Sequence, residues 1–444
     1  MPVLNESELS ELIQDQIIRD AKGQWARLSF LSKQLDGLVA KTWTPPDMDD
    51  EYKDFLRKSR SPLLDFAAKC IAQGLAIDGH SDPEVWDRVW NGSGMDGRQS
   101  ALNYETVAYG YGYVLAFPGD PDGLVSRPLS AMTTFSVNED PWDDDPQYVL
   151  HCVKHNPAQP DSELWRLFDS EAMYSFRGRP DRPRDVKITE HDLGVNPVTV
   201  IRSEFAYDGF PRSVVEPGIP AYKRVVDATF SVKMLERYGA FPQKYQSGGQ
   251  IATDEQGNAL IRPSADSILH SDEFDTKFGA FPAADIEKAT AAVDHHMQQL
   301  AAILNLPPHY LLGKVVNLSS DALAATETSW LRLITRLQGS MEDGYEAHLR
   351  KGAAILGMTD AAQDLTSEVH WRDTSVRSLA QVADAAQKLD AMGADRELLF
   401  QMIPGWSKQD AQIATRVALT RDKTNPLRGD AVTATADSLD ESTD

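Results

Sequence analysis

The chain has 444 residues, 41% of them hydrophobic, and carries 67 acidic against 44 basic side chains for a formal charge of −23. Its length passes the ~250–300 residues at which a single core stops growing, so several domains are expected. Such an excess of acid argues against groove-binding regulation, which needs Lys and Arg to neutralise phosphates; it fits either plain solubility or a protein that touches DNA without holding it.

The first helix is expected over 7–40, where Leu9, Ile13, Ile17, Trp25, Leu28, Leu31 and Leu35 recur near helical spacing. Pro45-Pro46 and the acidic run Asp47–Glu51 stop it. Helices follow over 61–74, 82–90 and 98–111, then a short strand Val114–Phe117 and a turn at Pro118–Gly123. From there to about Ser203 the pattern is short strands with turn residues between them. Tyr148–Lys154, Glu163–Phe168, Ala172–Arg177 and Pro197–Arg202 each approach the usual ~5–6 residues. The expected fold class is α+β, largely helical.

After Pro217 the character changes. Ile219–Tyr238 has no breaker and predicts one helix of roughly 30 Å at ~1.5 Å per residue. Phe281-Pro282 opens a second long helix, with Ile286, Val293, Met297, Leu300 and Leu304 on one face, and Pro307-Pro308 ends it. Between them lies an insert, 241–282, bracketed by Gly239-Ala-Phe-Pro242 and Gly279-Ala-Phe-Pro282, which reads as a small module at the tip of a helical hairpin. A loop leads from the second helix into a third, about Ser320–Leu356, striped by Leu323, Trp330, Ile334, Leu337, Met341, Tyr345 and Leu349. Gly339, Gly344 and Gly352 are expected to bend or weaken it. After a strand-like Glu368–Arg372, helices are expected at 375–392, 395–403 and 407–421. Asp430–Asp444 has too little to bury and is expected to be disordered.

Catalytic chemistry is hard to find. There is no P-loop, and Tyr109-Gly-Tyr-Gly-Tyr113 lacks the rest of a dinucleotide fingerprint, so it reads as close packing where a helix meets a strand. His295 and His296 are adjacent and point about 100° apart on a helix, a poor pair for one metal. His151 and His155 flank Cys152, but no carboxylate or second cysteine stands at a useful sequence spacing, and they read as structural. The acidic runs 47–51 and 143–145 sit beside prolines as solvated surface. Cys70 and Cys152 offer no disulfide framework and no metal cluster, which fits a reducing cytoplasm. No cofactor and no catalytic residue is assigned. No run approaches the ~18 apolar residues of a membrane span, and the opening Met-Pro-Val-Leu-Asn-Glu-Ser-Glu lacks the regions of a signal peptide; no membrane partner is expected.

What remains is an order of parts: an α+β body, a two-helix hairpin with an acidic tip, a loop, a long helix and a helical C-terminus. That order resembles the portal proteins of tailed bacteriophages, of the SPP1-like family common in phages of actinobacteria. The likeness is carried over roughly residues 20–420 by Ser61–Gly79, Tyr104–Leu115, Tyr238–Tyr245, Leu306–Leu311 with Ser319–Glu327, and Trp371–Ser378. Ser320 and Asp321 depart from it, standing where a Gly-Glu pair is more usual, and the Thr42–Asp54 loop matches no pattern of the family.

The resemblance implies a portal fold. Residues 1–216 would form the wing, 217–240 and 283–306 the two stem helices, and 241–282 the clip. Residues 307–357 would carry the tunnel loop and a long wing helix, 358–429 the crown side, and 430–444 an acidic tail. It implies a cyclic ring, typically a dodecamer, at one capsid vertex of the virion, made in the host bacterial cytoplasm. Double-stranded DNA would be packaged and ejected through the ring. The terminase large subunit would dock first and a head-completion or adaptor protein afterwards, with major capsid and scaffolding proteins as further neighbours. Portals of this family have no catalytic site of their own. The tunnel loop would comprise Lys314, Val315, Val316, Asn317, Leu318 and Ser319. Ser319 or Ser320 would cap the helix that follows.

The residues agree with this reading in two respects. The first hairpin helix is apolar on more than one face, through Tyr222, Val225, Val226, Phe230, Val232 and Leu235, as head-to-tail ring interfaces would require. The second carries Asp285, Glu287 and Asp294 against Lys288, a wall that would repel phosphates if it lined a channel. Glu255, Asp266, Asp272, Glu273 and Asp275 make the tip acidic, facing either the lumen or a docking partner. Two other classes stay open here: an intracellular multidomain hydrolase built on His151, His155 and nearby acids, and another virion structural protein.

Overall fold

The computed structural model describes residues 3–38, 50–119, 123–140, 145–156, 158–191, 193–206, 210–239, 244–248, 275–280, 285–313, 320–374, 379–403, 406 and 408–424. In chain order, α1 (Glu6–Leu12), a π-helical turn (Ile13–Ile17) and α2 (Ile18–Leu35) form one continuous helical run, followed by α3 (Asp50–Ser59) and α4 (Leu63–Ala72). Next come β1 (Ile77–His80), α5 (Pro83–Val85) with a π-helical extension, α6 (Met95–Tyr109), β2 (Tyr111–Gly119), β3 (Gly123–Leu129) and β4 (Thr134–Val137). The strands continue with β5 (Tyr148–Lys154), β6 (Leu164–Phe168), β7 (Ala172–Arg177), β8 (Arg184–Glu190) and β9 (Val198–Arg202). After them stand α7 (Ile219–Gly239), β10 (Lys244–Ser247), β11 (Lys277–Ala280), α8 (Ile286–Ile303), α9 (Pro308–Leu312) and α10 (Ser320–Ile355). The chain closes with α11 (Thr359–Gln363), β12 (Val369–Trp371), α12 (Leu379–Ala391), α13 (Arg396–Gln401) and α14 (Lys408–Thr424). The class is α+β, and among the described residues no helix is long and apolar enough to cross a membrane.

The chain divides into two compact units, one of residues 1–31, 68–214 and 316–444, the other of 32–67 and 215–315. In the first, β4-β5-β6-β7-β8 form an antiparallel meander whose apolar face carries Phe135, Leu150, Cys152, Trp165, Leu167, Tyr174 and Phe176. Leu9, Ile13, Ile17 and Ala21 pack against that face, all fully buried. Residues four apart drift by about 40° per step on a 3.6-residue helix. The π turn at 13–17 takes up this drift and keeps all four on one side. Asn5 starts the run with a capping box, accepting from the Ser7 and Glu8 backbone while Glu8 reaches back to its own N–H.

A second sheet, β3-β2-β9, lies under α10 and α6. Gly110 ends α6 at φ 96°, and a Cβ there would lie 2.2 Å from the Pro211 carbonyl oxygen. The glycine pair of the Tyr109–Tyr113 stretch is thus the tight helix-to-strand junction expected of it. The three glycines of α10 do not all weaken it. At Gly344 a Cβ would meet Ile201 at 2.8 Å and the Val200 carbonyl at 3.0 Å, so this glycine lets the helix lie close on β9. Gly339 has nothing within 4 Å.

In the second unit α7 and α8 pair along their length as a helical hairpin, and α3 packs on α7. Tyr222 of α7 donates to the Ser61 carbonyl at 2.6 Å. Of the apolar residues of α7, Tyr222, Val225, Val226 and Phe230 are buried within the chain, while Val232 and Leu235 are only half-buried. The bounds of α8 differ from expectation. Its start is set by Asp285 and not by Phe281-Pro282, and its end precedes Pro307-Pro308. Asn305, at φ 54°, places the Leu306 N–H on the Ala301 carbonyl and its own N–H on Ala302, a Schellman ending. Pro308 then begins the short helix α9 instead of terminating α8. The expected disordered tail, Asp430–Asp444, lies outside the described residues.

Candidate functional site

The hairpin, its tip and the helix after the loop are the parts on which function was expected. The tip is approached by an antiparallel ribbon in which Lys244 faces Ala280 and Ser247 faces Lys277. Gly279 opposes Tyr245, and a Cβ on it would come within 2.5 Å of the tyrosine ring, so the ring lies flat across the glycine. Tyr245 and Phe278 remain substantially exposed on this ribbon. Asp275 is exposed at its outer end. Glu255, Asp266, Asp272 and Glu273 lie outside the described residues, as do Lys314, Val315, Val316, Asn317, Leu318 and Ser319 of the expected loop.

The three acids assigned to the second hairpin helix have unequal roles. Asp285 is the N-cap of α8, accepting from the Lys288 backbone N–H at 3.1 Å and meeting its ammonium at 3.0 Å. The Lys288 contact holds its carboxyl below the usual carboxylate range. That pair is locally neutral, so the net charge of this turn comes from Glu287, which is exposed in the first turn. Asp294, two turns on and on nearly the same face, is half-buried. His295 and His296 bond to Gln299 on the next turn, His295 Nε2 at 2.9 Å and His296 Nδ1 at 3.4 Å, as structural side chains do.

Beyond the loop, α10 is fixed by buried polar contacts that periodicity alone did not single out. Tyr345 donates to the Asn103 side chain, itself bonded to the Leu75 carbonyl. His348 Nε2 meets Ser126 Oγ at 2.8 Å. Lys351 donates to the Val198 carbonyl at 3.1 Å and pairs with Asp145 at 2.6 Å. The available signal was a histidine and a lysine interrupting the apolar stripe at helical spacing from Tyr345. Ser126 and His348 resemble a nucleophile and its base, yet both are sealed in the core, and His348 Nδ1 meets no orienting carboxylate. Burial holds His348 far below its ordinary value, to about 3, with Lys351 adding to the effect. Burial likewise lowers His151 to about 4, helped by Arg166 and Arg127.

His155 does have a carboxylate partner: Glu163, brought across from the start of β6, lies 2.7 Å from its Nδ1. Sequence spacing hid the contact because strand pairing creates it.

Residues 70–419 match the family described as phage portal protein, SPP1 Gp6-like. The portal protein of Mycobacterium phage L5 is 30% identical over 214 residues, covering 46% of this chain and 43% of the relative. That of Mycobacterium phage D29 is 29% identical over 214 residues, covering 46% and 44%. Each match thus spans less than half the length of the curated relative. Among solved structures, the virion of a native gene transfer agent particle aligns at TM-score 0.45 and 18% identity, over 83% of this chain and 98% of that one. The neck of the same kind of particle, computed with C12 symmetry, aligns at 0.45 and 16%, over 82% and 94%.

Proposed function

The chain belongs to the SPP1 Gp6-like family of phage portal proteins, and on that premise we propose that it is the subunit of a portal ring at one vertex of a phage capsid. The ring, a dodecamer in this reading, encloses the channel through which double-stranded DNA is packaged and later ejected. Terminase docks on it during packaging, and a head-completion or adaptor protein takes its place afterwards. Capsid and scaffolding proteins surround its wing. The observation that carries the proposal is the family match, which takes in the hairpin, the loop and the long helix in one continuous span.

The parts follow from it. α7 and α8 are the stem, the β10–β11 ribbon leads to the clip, and residues 314–319 are the tunnel loop between stem and α10. The acidic wall keeps the duplex from sticking, since a channel that neutralised phosphates would bind what it must release. Glu287 serves that purpose on the stem. Asp285 serves the helix start. The clip acids Glu255, Asp266, Asp272, Glu273 and Asp275 face terminase or the lumen.

Deleting Lys314–Leu318 tests the reading of the loop. Rings should still assemble, while particles carrying the deletion should package or retain less DNA. Loss of ring formation, with normal packaging by whatever rings remain, would overturn the assignment.

A further inference from the structure

We propose that Cys152, His155 and Glu163 form a zinc-binding site that clips the connection between β5 and β6. Their ligand atoms, the thiol sulfur, an imidazole nitrogen and a carboxylate oxygen, all lie within 4.8 Å of one another. In a regular strand, side chains three apart face opposite ways. Here the register of β5 on β6 shifts between Cys152 and Lys154, a bulge that carries His155 round to the side of Cys152. Glu163 enters from the turn Pro160–Ser162 at the start of β6.

The carboxylate is set in place by its surroundings. Glu163 is only 5% exposed, accepts from the Trp165 indole at 3.2 Å on one oxygen and from the Asn156 backbone at 3.1 Å on the other. Contacts of this kind orient a metal ligand from outside the coordination sphere. A thiolate, a carboxylate and a neutral imidazole carry two negative charges together, which a divalent cation cancels. The mixture of S, N and O donors suits zinc and does not suit magnesium or calcium. Tetrahedral zinc holds such atoms about 3.3–3.7 Å apart. The 2.7 Å His155–Glu163 contact must therefore open, and separations that reach towards 4.8 Å must close, as the 60% accessible imidazole swings into place. Three protein ligands would leave the fourth tetrahedral position to water.

The test uses the full chain stripped of metal and titrated with zinc by calorimetry, then with cobalt followed by absorption. One equivalent per chain should bind, and cobalt should show a near-ultraviolet thiolate charge-transfer band. His155→Ala, on an exposed side chain, should fold normally and bind at least about tenfold more weakly, no less than losing an outer partner costs. Cys152→Ser should abolish the thiolate band. Absence of saturable binding would overturn the proposal. So would a bound cobalt without the thiolate band, or unchanged affinity in both variants, which would put the ion on other side chains such as His295 and His296.

Discussion

A histidine with no exposed surface stands in the last quarter of α10, and its protonation state reports on the packing around it. His348 is neutral when folded because burial pushes it from 6.5 to about 3. The unfolded chain binds this proton near 6.5 and the folded chain does not, so stability falls as pH drops from about 6.5 towards 3 and is unaffected above that window. The slope is roughly 1.4 kcal/mol per pH unit for this one group. Urea unfolding between pH 7 and 4 should show that component in the native chain and lose it in His348→Gln; an unchanged slope would mean that water reaches the ring. Asp285 separates a capping role from a charge role. Asp285→Ala should speed hydrogen exchange at the first α8 amides, whereas Asp285→Asn should leave it near native, because Asn also caps. Equal acceleration in both would make the charge the essential feature. Asp285 was legible as an acid but not as a cap, since the helix start was placed at Phe281-Pro282. Glu163 was not legible as a partner of His155. Seven residues of chain separate them, and the pairing of β5 with β6 joins them.

At the scale of elements, long helices flanked by breakers or caps were readable almost to their ends. α7 and α10 begin and stop within a residue or two of expectation, because breakers and caps flank long periodic runs. Two strands at sheet edges, β3 and β8, were missed. β3 holds Pro128 on the outer edge of its sheet, and β8, Arg-Asp-Val-Lys-Ile-Thr-Glu, outermost in the meander, has only Val186 and Ile188 as apolar side chains. Neither carries a strong apolar face, because an edge strand has less to bury. The glycines of α10 give a paired test. Gly339→Ala in the unassembled chain should raise stability by about 0.5–1 kcal/mol, since the new methyl meets nothing and the helix gains propensity. Gly344→Ala should lower it by about 1–3 kcal/mol, because the methyl drives into Ile201 and the β9 backbone. Denaturant midpoints decide this; the same sign for both would show that α10 does not lie on β9 as described.

The molecule as a whole pairs an α+β unit with a hairpin unit in a chain of charge −23. Its class and the succession of its described helices and strands were legible because both rest on patterns that survive sequence drift: helix periods, breakers and caps. Assembly was less legible. Part of the apolar surface of α7, read as a ring interface, packs on α3 within the chain, while Val232 and Leu235 stay half-buried. Residues 32–67 accordingly group with the hairpin and not with the sheets. The ring therefore rests on family membership and needs its own measurement. Electron microscopy of the purified chain across a range of concentrations is the most direct. The account expects closed rings of uniform subunit number with an axial hole wide enough for a DNA duplex. Particles that stay monomeric at the highest concentration, or that grow into open chains without closing, would contradict it.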